Sequence, residues 1–140
     1  MWIIYALATI ASYAGLDFFI KRMAGKINDY LGIIILSLVA VLPSLITILI
    51  LRFPDKKPLV TPNGLLYAAL AGIALGIGTL SFLKLFDTGV ELSLASPFVR
   101  IGIMVVTTTL GIYILRETIT VKELIGMGFA LIGLIILVIK

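Results

Sequence analysis

Long apolar runs separated by short polar turns organise this chain. Residues 2–20, 31–51, 64–86, 98–115 and 124–139 are almost wholly apolar. Each run approaches or reaches the roughly 20 residues that carry an α-helix across about 30 Å of hydrocarbon. Backbone groups inside a bilayer must be satisfied within their own segment, so each run predicts a helix. The expectation is an all-α integral membrane fold of five transmembrane helices, with no strand and one domain over residues 1–140.

The polar positions mark where the helices end. Trp2 and Tyr5 open the first span in the manner of interfacial anchors. No basic segment precedes them, so the first helix is expected to be retained rather than cleaved. Lys21, Arg22, Lys26 and Asp29 make the first turn. Pro43 stands mid-way through the second span and predicts a kink there, as a plain bend or as a gating hinge. Residues 52–63, with Pro54, Pro58, Pro62, Lys56 and Lys57, form the longest loop, still short for an interdomain linker. Residues 87–94 make the third turn, and 116–123 the last. In that last turn Thr120 and Glu123 have the spacing of a capping box, which starts the fifth helix at Val121.

Small residues recur at helical spacing on two of these spans. Ala68, Gly72 and Gly76 form a stripe on the third, and Gly126, Ala130 and Gly133 form another on the fifth. Such faces let helices approach closely where lipid supplies no hydrophobic drive, so helix packing is their expected role.

Composition narrows the function. With 61% hydrophobic and 13% charged residues and a mean hydropathy of +1.26, the chain has far more apolar surface than a water-soluble fold of this size can hide. It has no Cys and no His, which removes disulfides, thiolate chemistry and imidazole relays. No enzyme activity, metal or cofactor is expected. The net charge of +4 lies mostly beside helix ends, where it sets topology or meets anionic membrane lipids rather than nucleic acid.

Two charges fall inside spans, where an ionisable group costs several kcal/mol and tends to be kept for pairing or a pathway. At 1.5 Å per residue, Asp17 lies about 9 Å from the middle of the first span and Arg100 about 10 Å from that of the fourth. Both belong to the same half of the bilayer, so they can pair with each other. Asp17 can equally pair with Lys21 one turn on, and Arg100 can reach the headgroups or Glu91. Around Arg100, a wheel of 3.6 residues gathers Pro97, Met104, Thr107, Thr108 and Gly111 on one face. Tyr5, Thr9, Ser12, Tyr13 and Asp17 make a similar stripe on the first helix. Facing each other, the stripes would line a polar cavity in which Arg100, Asp17, Tyr13, Ser12, Thr107, Thr108 and Met104 contact a small solute. Alternatively, the Thr hydroxyls bond back to their own helix.

The order Ala95, Pro97, then Arg116-Glu117, then Gly126 and Gly133 resembles the EamA-like half of the drug/metabolite transporter superfamily, and is also similar to the small multidrug resistance transporters. Residues 80–89 extend the likeness over about the last half of the chain. The resemblance implies a single drug/metabolite-transporter repeat. It further implies a secondary transporter of a small metabolite or drug-like solute, multi-pass in the cell membrane, with a cavity lined by the first, third and fourth spans. Family members usually join two such halves, so a lone half implies a homodimer or a heterodimer with a homologous half. One departure is that no carboxylate sits at the centre of the first span, which puts direct proton coupling in doubt. A non-transporting membrane adaptor or assembly subunit is the alternative.

Five spans put the termini on opposite sides. Lys21, Arg22, Lys26, Lys84 and Lys140 then share one side, and Arg52, Lys56, Lys57, Arg116 and Lys122 the other, five cations against five. Positive-inside bias is close to nil. Insertion in both orientations would let two copies form an antiparallel dimer, an inverted repeat of the kind transporters use. Helix ends placed a residue or two differently, or a second subunit that fixes the orientation, would explain the tie as well.

Overall fold

A computed structural model describes residues 2–51 and 60–139. Arg52, Pro54, Lys56, Lys57, Pro58 and Lys140 lie outside the described residues. All regular structure among the described residues is helical: α1 (Trp2–Met23), α2 (Asp29–Ala40), α3 (Leu42–Leu51), α4 (Pro62–Asp87), α5 (Leu92–Tyr113) and α6 (Val121–Val138). Five stretches are long and apolar enough to cross a membrane: Trp2–Met23, Asp29–Ile50, Pro62–Asp87, Leu92–Tyr113 and Val121–Val138. The five expected spans are therefore present. The second is divided between α2 and α3, with Val41 non-helical between them. Pro43, which offers no N–H to the preceding turn, explains the division.

Local chemistry sets the helix ends. Asn28 caps α2 by accepting from the Tyr30 and Leu31 N–H groups at 3.1 and 3.3 Å. Thr61 caps α4 by accepting from Gly64 N at 3.1 Å, and Pro62 begins the helix where its missing N–H is no loss. The chain turns after α1 at Gly25 and after α4 at Gly89, with φ of +68° and +87°, which glycine adopts without a Cβ penalty. α6 starts at Val121, as the capping box predicts: Thr120 N–H donates to Glu123 Oε2 at 2.7 Å, and Glu123 N–H to Thr120 Oγ1 at 3.3 Å.

The fourth span departs from expectation at both ends. It begins at Leu92 rather than near Pro97, so Pro97 lies inside α5 and residues 92–94 of the expected turn are helical. The Glu91 carbonyl accepts from the Ala95 N–H at 2.9 Å, which fixes the first turn ahead of the proline. At the other end α5 stops at Tyr113. The N–H groups of Ile114 and Leu115 turn back to the Leu110 carbonyl, Arg116 takes φ +56°, and the Glu117 N–H then returns to the Gly111 carbonyl.

The chain forms two compact units, Met1–Asp17 with Gly89–Lys140, and Phe18–Thr88. In the second, α2 packs on α4, with Ile20, Leu83 and Phe86 buried. Lys21 Nζ lies 5.1 Å from the Phe86 ring centroid, and the Phe82 ring meets Phe86 edge-on at 4.8 Å. In the first, α5 packs on α6, and Asp17, Ala95 and Gly111 are buried. Large apolar side chains elsewhere, such as Ile4 and Ile136, are exposed, as lipid-facing residues are.

Candidate functional site: a sealed carboxylate beside an open guanidinium

The site lies within the first unit and is built from two pairs of residues one helical turn apart. Tyr13 and Asp17 stand on α1, and Ser96 and Arg100 on α5. Such i,i+4 partners share a helix face, so each helix presents two side chains together. Ser96 Oγ donates to Asp17 Oδ2 at 2.5 Å, and Arg100 Nη2 donates to Asp17 Oδ1 at 2.6 Å. The guanidinium carbon lies 4.7 Å from the Tyr13 ring centroid, within cation–π range.

Exposure divides the pair. Asp17's side chain is 5% accessible and Arg100's is 40%. The carboxylate is closed in with both oxygens bonded, while the guanidinium stays open on its other edges. Asp17 lies about 7 Å from the middle of α1, and Arg100 about 4 Å from the middle of α5, at 1.5 Å per residue. Since a guanidinium keeps its proton, it needs an anionic or polar partner at that depth, and Asp17 supplies one through a charge-assisted bond.

A cavity of about 400 Å³ opens beside this pair, lined by Thr9, Ile10, Tyr13, Ala14, Asp17, Ser96 and Arg100. Every lining residue belongs to α1 or α5. Thr9 Oγ1 donates to the Tyr5 carbonyl at 2.8 Å, so its hydroxyl serves its own helix.

The expected polar stripes are split by the structure. Arg100, Asp17 and Tyr13 come together. Ser12 is exposed and does not line this cavity. Thr107 Oγ1 bonds back to the Ile103 carbonyl at 2.9 Å, as a Thr in a membrane helix commonly does. Met104 and Thr108 face a different groove, of about 430 Å³ between α5 and α6, with Glu117, Glu123, Gly126 and Met127. A Cβ added to Gly72, Gly76, Gly126 or Gly133 would meet nothing within 4 Å, so among the described residues these glycine positions are unfilled, and Ala130 is half-buried. Ser96 was not among the residues singled out by sequence. Its place one turn before Arg100 was the available signal. Among the described residues no three His, Cys, Asp or Glu gather to hold a metal ion.

The five apolar helices define a multi-pass helical membrane protein. The sequence matches the EamA-like transporter family over residues 1–139, and the chain belongs to that family. No curated protein and no solved structure matches it. Membership makes it a membrane protein of the drug/metabolite transporter type.

Proposed function

We propose that the chain is one half of a secondary transporter in the cell membrane that moves a small metabolite or drug-like solute. The observation that carries this is the Asp17–Arg100 pair, held at membrane depth with the carboxylate closed in and the guanidinium open to a cavity. A pair kept only for stability gains little from an exposed cation, whereas a solute site requires a free recognition group.

The pathway is completed by a second five-span half, a second copy of this chain or a homologue. Support comes from the unfilled glycine positions and from the five-against-five cation count, which permits an antiparallel pair. Because a Cβ at Gly133 meets nothing within 4 Å among the described residues, Gly133→Ile tests association, with the unfolding of the protomer in detergent as its control. Reconstitution into proteoliposomes with a panel of labelled metabolites tests transport. Solute flux that Gly133→Ile abolishes together with the dimer supports the proposal. Absence of flux across the panel, with assembly intact, would instead make the chain a non-transporting adaptor.

A further inference from the structure

We infer that the Asp17–Arg100 cavity takes the carboxylate of a small monocarboxylic acid with an apolar body and rejects cations, an inference that rests on the transporter reading of this site. It follows from which polar groups are already engaged. Ser96 and Arg100 each bond one Asp17 oxygen and the side chain is only 5% accessible, so the carboxylate is closed off from a cationic ligand by burial. Thr9's hydroxyl is bound to its own helix, and Ile10 and Ala14 are apolar.

What remains is a donor. A guanidinium carries five N–H groups, and among the described residues its hydrogen bond goes to Asp17 alone. With 40% of the side chain accessible, its other edges can meet a carboxylate in the two-pronged geometry that suits the planar fork. Tyr13 backs the guanidinium and holds its plane. Apart from the Tyr13 hydroxyl, the wall offers no partner to a second charged or strongly polar group on the ligand. At about 400 Å³ the cavity is at the small end of ligand pockets.

Asp17 competes with the ligand for the same cation, and this gives the inference a sign. Neutralising Asp17 should tighten carboxylate binding, an effect that a merely structural ion pair would not produce.

The test uses the full chain in lipid nanodiscs and three probes of one shape, benzoate, benzamide and benzylammonium, titrated by calorimetry at pH 7. Benzoate should bind at least about tenfold more tightly than benzylammonium. Asp17→Asn should tighten benzoate several-fold. Arg100→Lys should weaken it about tenfold, because the fork becomes a point charge. Asp17→Asn/Arg100→Gln, which leaves no buried carboxylate unpaired, should abolish it. Benzylammonium binding as tight as benzoate, no benzoate binding to the unaltered chain, no tightening in Asp17→Asn, or benzoate binding that survives in the double variant would each overturn the inference. Labelled flux separates the two levels. Arg100-dependent benzoate binding without flux of any solute keeps the ligand class and sinks the transporter reading. Flux of a neutral or cationic solute that the double variant leaves unaltered keeps transport and sinks the ligand class.

Discussion

The carboxylate of Glu117 lies where a side chain on Gly111 would have to stand: a Cβ built on Gly111 falls 2.5 Å from Glu117 Oε2 and 3.4 Å from its Cδ. The Glu117 N–H also donates to the Gly111 carbonyl at 3.1 Å. Side chain and backbone of one residue therefore close over the last turn of α5. Glu117 thus acts in helix-end structure, at the mouth of the groove between α5 and α6.

Gly111→Ala should be nearly neutral by itself. Alanine gains up to about 1 kcal/mol of helix propensity, but the methyl group displaces the carboxylate, which can move because it is the far end of a flexible chain. With Glu117→Ala in place, nothing opposes the methyl group and the full gain should appear. A double-mutant cycle on unfolding in detergent should therefore show coupling of about 0.5–1 kcal/mol. Strict additivity would mean that the carboxylate does not rest on Gly111.

The capping box at the start of α6 makes a second prediction. Glu123 Oε2 accepts from both the Thr120 N–H and the Thr120 hydroxyl, at 2.7 and 2.8 Å. Thr120→Ala should cost about 1 kcal/mol and Thr120→Ser much less, since the hydroxyl is what satisfies the Glu123 N–H. Equal losses in the two variants, read by the same unfolding measurement, would show that the methyl group and not the hydroxyl matters.

The ion pair predicts an order of stabilities. Arg100→Leu leaves a buried carboxylate with Ser96 alone and should cost about 3–5 kcal/mol. Asp17→Asn/Arg100→Leu removes both charges and should be markedly less destabilised than Arg100→Leu. If the double variant is no better than the single one, the carboxylate is reaching water or another cation instead.

Legibility differed between fold and site for a physical reason. The spans could be read because apolar length alone decides what crosses a bilayer, and the Thr120–Glu123 and Pro43 signals act within a single turn of chain. Depth permits the pairing of Asp17 with Arg100 but does not select it over Lys21 for Asp17 or Glu91 for Arg100, because depth fixes a plane and leaves the direction around the helix free. Helical period put Met104, Thr107 and Thr108 on the face of Arg100. In space that face meets α1 at one end and α6 at the other, so residues on one stripe serve different neighbours. The start of α5 was misread because proline disfavours a helix interior, yet Pro97 lies in the second turn of a helix already fixed by Glu91.

Arg116 joins backbone strain to orientation. Among the described residues it is the one non-glycine with positive φ, +56°, a conformation costing an L-residue about 1–2 kcal/mol. By the sequence count it is also one of five cations expected on one side against five on the other. Arg116→Gly should relieve the strain, raising stability by up to about 1 kcal/mol, because glycine also gains entropy in the unfolded chain. The same change leaves four cations against five, so it should favour insertion with the C-terminus on the cytoplasmic side. Arg116→Lys keeps the charge and the strain and should alter neither property. Arg116→Asn removes the charge but tolerates the left-handed region, so it should shift orientation as glycine does. Paired C-terminal reporters, one active inside the cell and one outside, measure the orientation, and unfolding in detergent measures the strain. If the unaltered chain already inserts one way and Arg116→Gly changes nothing, the proposed antiparallel homodimer loses its basis, and a homologous second half becomes the proposed partner.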